Sequence, residues 1–231
     1  MANGRREVRD AMIVLTDVLG AAEVARLTQG LADAPYRDGR ATAGPDARRV
    51  KLNQQARGDD PQVAELAASV RRVLEGHPTF QALARPARWS RLMFSRYVPG
   101  QRYGLHADAA TMTDEQGWPL RTDLSFTVFL SDPAAYDGGA LRLLGRDGER
   151  SVRPDAGSVV LYATGQLHEV TPVTDGVRLA CVGWVQSQVR RADQRDLLFE
   201  LERARDELPE GAPRLRLDNA IGNLLRMWGE G

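Results

Sequence analysis

The spacing of apolar residues along this chain changes period twice. AMIVL (11–15) is an unbroken apolar run and predicts a buried strand. TDVLGAAEVARLTQGLADA (16–34) then places Val24, Leu27 and Leu31 at helical intervals, which predicts an amphipathic helix. RDGRATAGPDARR (37–49) is polar and glycine-rich and predicts a loop. PQVAELAASVRRVLEG (61–76) carries Val63, Leu66, Val70 and Leu74 along one stripe, the pattern of a second helix with one face on a core.

From Trp89 the period shortens. WSRLMFSRY (89–97), LSFTVFL (124–130), ALRLL (140–144), GSVVLY (157–162) and VRLACVGWV (177–185) are short and rich in β-branched and aromatic residues. The turn sequences VPGQ, YDGG, GRDG and VTDG separate them, and such a series predicts a sandwich or jelly roll. After Arg190 the pattern is helical again. Asp193 is placed to cap QRDLLFELERARDEL, Pro209 and Gly211 interrupt it, and LDNAIGNLLRMW forms a last amphipathic helix. Its apolar stripe suits core packing or a homodimer contact. The expected fold class is therefore α+β. Residues 1–88 supply a strand and helices that support the core, 89–188 form the core as a double-stranded β-helix (jelly roll), and 189–231 form a helical extension.

Composition narrows the function more than the fold. Of 231 residues, 42% are apolar and 27% charged, the balance of an ordinary soluble globule. Lys+Arg and Asp+Glu stand at 31 each, so the chain lacks the general attraction to phosphate expected of a nucleic-acid binder. Cys181 is the only cysteine, which excludes an intrachain disulfide or a thiolate metal cluster; in its alternating strand it reads as buried filler. The apolar run 11–15 is too short for a signal peptide or a membrane span, so a cytoplasmic protein without a membrane partner is expected.

Candidate chemistry starts from the rarity of histidine, of which there are three. His77 has no evident companion and reads as structural. His106 opens H-A-D, and in an extended strand it and Asp108 would point to one face. That pair alone is a weak motif, His168 alone reads as a core histidine, and Arg178 alone as a solvated strand residue. Together they say more. If a sandwich brings His168 opposite His106, two imidazoles and one carboxylate form the facial triad of non-haem Fe(II) oxygenases. Zinc hydrolases use similar ligands, but Arg178, ten residues past His168, has no role in them. A hairpin across V-T-D-G would put this guanidinium on the neighbouring strand, set back from the metal, where it can grip the far carboxylate of a chelating diacid such as 2-oxoglutarate.

The combination H-A-D, His168 and Arg178 resembles the Fe(II)/2-oxoglutarate dioxygenases of the prolyl 4-hydroxylase type, and more closely the bacterial PKHD-type hydroxylases. The similar segments are GRATAGPDARRVKLNQQ (39–55), RYVPGQRYGLHAD (96–108), RTDLSFTVFLSDPAAYDGGAL (121–141), GSVVLYATGQLHEVTPVTDGVRLACVGWVQSQVR (157–190) and DQRDLLFELERA (193–204). The resemblance implies Fe(II), 2-oxoglutarate, O2 and L-ascorbate as requirements. It also implies hydroxylation of a C–H bond coupled to decarboxylation of 2-oxoglutarate to succinate and CO2. It makes His106, Asp108 and His168 the iron ligands and Arg178 the co-substrate anchor. Tyr97 and Tyr103 then line the co-substrate pocket, and Trp184 walls the same cavity.

The substrate stays open among a peptide, a free amino acid and a small metabolite, since fold does not transfer specificity. Loops 37–60 and 109–120 are expected to wall its entrance. Activity should fall in acid as the imidazoles take up protons. A competing reading is a non-catalytic iron and 2-oxoglutarate sensor. A nucleic-acid demethylase is disfavoured by zero net charge.

Overall fold

The computed structural model of the chain describes residues 12–145 and 148–230. Ala11 of the first apolar run, and Arg146 and Asp147 in the G-R-D-G turn, lie outside the described residues. The N-terminal part runs β1 (Ile13–Leu15), α1 (Ala21–Ala32), β2 (Tyr36–Asp38), α2 (Pro45–Val50), β3 (Lys51–Leu52), β4 (Gln54–Ala56), α3 (Pro61–Gly76) and α4 (Pro78–Ala84). The middle supplies β5 (Pro86–Trp89), β6 (Met93–Tyr97), β7 (Arg102–His106), β8 (Thr111–Thr113), β9 (Pro119–Arg121) and β10 (Leu124–Phe129). Then come β11 (Tyr136–Gly138), β12 (Leu141–Gly145), β13 (Gly148–Val152), β14 (Val159–Ala163), β15 (Leu167–Val170), β16 (Val173–Gly176) and β17 (Arg178–Ser187). Two helices, α5 (Ala192–Asp206) and α6 (Ala212–Trp228), close the chain.

Two antiparallel sheets face each other. The larger has the order β1-β14-β10-β17-β6-β4-β2, with β5 also paired to β17; the smaller has the order β13-β12-β15-β7-β3. The segment LSFTVF shows how one strand serves two layers. Successive side chains point to opposite faces, so Leu124, Phe126 and Val128 join a core shared with Leu27, Leu31, Val70 and Phe80 of the helices. Phe129 of the same strand instead packs with Leu141, Leu143, Val160 and Tyr162 between the sheets. Helices α1 and α3 thus cover the outer face of the large sheet through the apolar stripes read from the sequence, while its inner face looks into the sandwich.

Several local expectations are corrected. Residues 37–49 are not a plain loop: β2 pairs with β4, Asp38 accepts from the Arg40 amide to start a short turn of helix at Gly39–Thr42, and Pro45 opens α2. Pairing to a partner strand is invisible to local polarity, which is why the segment looked irregular. β1 is an edge strand with Val14 39% exposed rather than a buried run. The expected strand 89–97 is divided into β5 and β6, and α4 follows α3 after His77, whose ring accepts from the Phe80 amide at 3.2 Å. At α5 the cap position is Arg191, and Asp193 lies inside the first turn, paired to Arg191 at 2.5 Å. The last helix begins at Ala212, with Pro213 in its first turn where a missing N–H costs nothing.

V-T-D-G is also more than a turn. Residues 173–176 form β16, which pairs with β11 in a separate ribbon. Gly176 has φ +69, and a Cβ there would fall 2.2 Å from the Ala135 carbonyl oxygen, so only glycine lets the chain turn sharply into β17. The chain therefore leaves the small sheet after β15 and enters the large one at β17. No helix among the described residues is long and apolar enough to cross a membrane.

Candidate active site

The two imidazoles come from neighbouring strands. β7 and β15 pair so that His106 and His168 are directly opposite, with ring centroids 4.3 Å apart. Both side chains point into the sandwich, and the residues are 8% and 5% exposed. Each ring is oriented by its own backbone: Nδ1 of His106 meets the Gly104 carbonyl at 2.8 Å, and Nδ1 of His168 meets the Gln166 carbonyl at 2.9 Å. A carbonyl only accepts, so Nδ1 carries the proton and Nε2 presents a lone pair.

Asp108, two residues beyond the end of β7, closes the group. Its Oδ1 is 3.7 Å from Nε2 of His106 and its Oδ2 is 3.6 Å from Nε2 of His168. One donor atom from each of the three residues lies within 4.8 Å of the others. The carboxylate is held from behind, because the Trp184 indole N–H donates to Oδ2 at 2.8 Å and the Ser125 hydroxyl at 2.9 Å. Nε2 of His106 is buried with no hydrogen-bond partner. Two lone pairs and a carboxylate converging without a donor between them fit a divalent cation. Burial first, and the neighbouring His168 second, bring the His106 imidazole down to about 4, so it stays neutral and ligand-competent through mildly acidic pH.

Arg178 enters the same space from the opposite sheet. It stands at the start of β17, in register with Tyr97 on β6. The expected hairpin from His168 is thus replaced by a crossing between sheets, and the arginine faces the triad across the sandwich. It is 1% exposed, and among the described residues no carboxylate pairs with it; its Nε has no partner. Its guanidinium carbon is 5.2 Å from the Tyr97 ring and 5.0 Å from the Phe129 ring. The D-G-G run makes room for it, since a Cβ on Gly139 would press on the Arg178 Cδ at 3.0 Å. A buried guanidinium left without a counter-charge fits a carboxylate-bearing co-substrate.

A cavity of about 780 Å³ joins these groups. Tyr97, Tyr103 and Trp184 all line it, as do segments of both loops expected at the entrance, including Thr42, Lys51 and Met112. Tyr103 stacks on His106 with centroids 3.6 Å apart. Burial pushes the phenols of Tyr97 and Tyr103 up, so both remain neutral donors. Tyr162, which sequence reasoning placed only in a core strand, packs edge-on against His168 at 5.0 Å and lines the cavity too. Ser125 was missed in the same way. The alternation L-S-F-T-V-F was the available signal, because its polar members all fall on the inner face. Arg121 and Asp123 form a bidentate structural pair at 2.8 and 2.9 Å, and Cys181 is buried with its thiol pushed up by desolvation.

Residues 92–186 match the 2OG-Fe(II) oxygenase superfamily. Over 224 residues the chain is 44% identical to a PKHD-type hydroxylase of Klebsiella pneumoniae subsp. pneumoniae, covering 95% of this chain and 100% of that one. The chain belongs to the PKHD-type hydroxylases. Solved neighbours agree on the fold. A Pseudomonas putida prolyl-4-hydroxylase covers 77% of this PKHD-type hydroxylase and 93% of its own length at TM-score 0.53 and 24% identity. A Trichoplax adhaerens prolyl hydroxylase, solved with a hypoxia inducible factor oxygen degradation domain peptide, covers 80% and 86% at TM-score 0.56 and 16% identity. The PKHD-type hydroxylase described here is accordingly an Fe(II)/2-oxoglutarate-dependent dioxygenase. It uses iron, 2-oxoglutarate and O2 to hydroxylate a C–H bond, with decarboxylation of 2-oxoglutarate to succinate and CO2.

Proposed function

We propose that His106, Asp108 and His168 hold the ferrous ion and that Arg178 anchors the distal carboxylate of 2-oxoglutarate. The observation that carries this assignment is the convergence of three ligand atoms within 4.8 Å of one another in the same cavity as a buried guanidinium lacking a described counter-charge. When bound, the iron supplies O2 activation and the oxidation of the C–H bond. The protein's part is orientation. The Gly104 and Gln166 carbonyls fix both imidazole tautomers, and Trp184 and Ser125 hold the Asp108 carboxylate so that one oxygen remains free to coordinate. Tyr97 beside the guanidinium and Tyr103 over His106 form the walls of the co-substrate pocket, with Trp184 completing it beneath Asp108.

The same reading takes residues 89–188 as the catalytic core, 1–88 as its support and 189–231 as an extension whose exposed Leu215 and Met227 offer a homodimer contact. L-ascorbate is the reductant that keeps the iron ferrous. The enzyme works in the cytoplasm on a small molecule or peptide, without nucleic-acid or membrane partners.

Anaerobic titration with Fe(II) and 2-oxoglutarate tests the assignment. Wild type should develop a weak visible charge-transfer band and release succinate slowly in air. His168→Ala should lose both, and Arg178→Gln should need roughly ten-fold or more 2-oxoglutarate to reach the same band. Tight zinc binding with no band would overturn the metal assignment. A normal band without any succinate release would instead favour the sensor.

A further inference from the structure

Lys51 is the only lysine in the sequence, beside 30 arginines. It lies on β3, the edge strand beside β7, in register with Tyr103, and its side chain lines the cavity that holds the triad. The residue is 6% exposed. Its ammonium donates to the Thr42 hydroxyl at 3.1 Å, and that hydroxyl in turn donates to the Gln55 side chain. The same ammonium is 4.9 Å from the centroid of the Tyr103 ring, which stacks on His106. The cation is therefore one aromatic ring away from a metal-facing imidazole.

No described carboxylate forms an ion pair with it. The two acids that attract it are committed elsewhere: Asp38 to Arg40, and Asp108 to the imidazoles, Trp184 and Ser125. An ammonium has three donors, and Thr42 takes one. Burial outweighs the attraction of those acids and brings the amine down to about 8, the signature of a cation short of a partner. Formal charge points the same way. With a ferrous ion and dianionic 2-oxoglutarate in the cavity, Asp108 and the co-substrate neutralise all but one of the positive charges on the metal, Arg178 and Lys51. A buried unpaired charge is costly, and one carboxylate would remove it.

We propose that Lys51 receives a carboxylate of the substrate, and that this enzyme hydroxylates a small free carboxylic acid lying between Lys51 and the triad. The proposal rests on the oxygenase reading above and deepens it by naming a substrate class. A compact ammonium suits this place, because an arginine's longer planar fork would need bidentate geometry and more room.

The single lysine makes the test direct. Protein labelled with 15N-lysine gives one side-chain ammonium signal, from Lys51. It is loaded with Zn(II) and N-oxalylglycine, which fill the iron and co-substrate positions without turnover. It is then titrated with isobutyrate and L-leucine, and with their neutral counterparts isobutyramide and L-leucinamide. At least one acid should move the Lys51 signal and bind about ten-fold or more tightly than its amide. Ligand-observed NMR should show that preference lost in Lys51→Gln and partly kept in Lys51→Arg. Parity of acids and amides, or no acid moving the signal, overturns the proposal without reliance on any variant. So does an acidic blocked peptide, acetyl-Ala-Asp-Ala-amide, binding about ten-fold better than either acid. The Fe(II)–2-oxoglutarate band separates the two levels. Its absence from wild type sinks the oxygenase assignment; its presence beside acid–amide parity sinks only Lys51's role. Its loss in Lys51→Gln alone would assign Lys51 to the co-substrate and overturn the proposal as well.

Discussion

A buried ammonium with no counter-ion among the described residues has a consequence for stability whose sign is fixed. In the unfolded chain Lys51 titrates near the usual lysine value, whereas burial lowers it to about 8 in the fold. Between those values the unfolded state binds more protons, so stability rises with pH there. The destabilisation is fully present below about pH 8 and fades as pH climbs toward 10. Metal-free Lys51→Met should therefore melt above wild type at pH 7, with the gap closing as pH rises through 8 to 10; a gap independent of pH would mean the ammonium already has a partner. The contrast with the triad explains what a sequence can disclose about single residues. His106, Asp108, His168 and Arg178 were legible because histidine is scarce and their spacing is distinctive. Lys51 was hidden by counting lysine together with arginine as charge. Ser125, Tyr162 and the indole donor of Trp184 were hidden because serine, tyrosine and tryptophan are unremarkable in strands. Only the face they occupy gives them a role.

At the level of elements, β17 decides where Arg178, the proposed co-substrate anchor, stands, and Gly176 decides how β17 begins. Any Cβ at position 176 meets the Ala135 carbonyl at 2.2 Å in a backbone conformation that side chains avoid. Gly176→Ala should cost about 3 kcal/mol, seen in thermal or urea unfolding. It should also shift the neighbouring Arg178 and weaken 2-oxoglutarate binding. Metal affinity should hold, because the triad stands on β7, the segment just after it, and β15, reached through other turns. Equal losses of metal and co-substrate would show instead that the whole sandwich had moved. The strand segments themselves were readable from period and residue type, since LSFTVF and its neighbours have few alternatives. Their partners were not. V-T-D-G carries every local mark of a hairpin turn, yet β11, nearly forty residues earlier, pairs with it and routes the chain into the other sheet. Register and sheet membership depend on such distant edges, and no local window contains them.

Across the whole molecule, the C-terminal helices contribute to stability but not to the cavity. Every described residue lining the cavity lies between positions 42 and 184. Helices α5 and α6 pack on each other through Leu198 and Ile221 and are tied to the body by Arg85, which is 8% exposed and pairs with Glu202 of α5 at 2.6 Å. Arg85 sits at the left-handed end of α4, just before β5, so this ion pair joins the tail to the layer behind the large sheet. Glu202→Ala would leave a buried guanidinium unpaired. Because Glu202 is partly open to solvent, the cost should be about 2 kcal/mol, below that of a fully enclosed pair. For a chain of this length that is roughly 5 °C in Tm. Hydrogen exchange should rise first in α5 and α6, while the 2-oxoglutarate requirement and iron affinity stay at wild-type values. A change in either constant at full folding would mean that the tail reaches the site through the large sheet. Unchanged constants beside a lowered Tm would mean that it braces the sandwich from outside, leaving substrate choice to the cavity wall around Lys51.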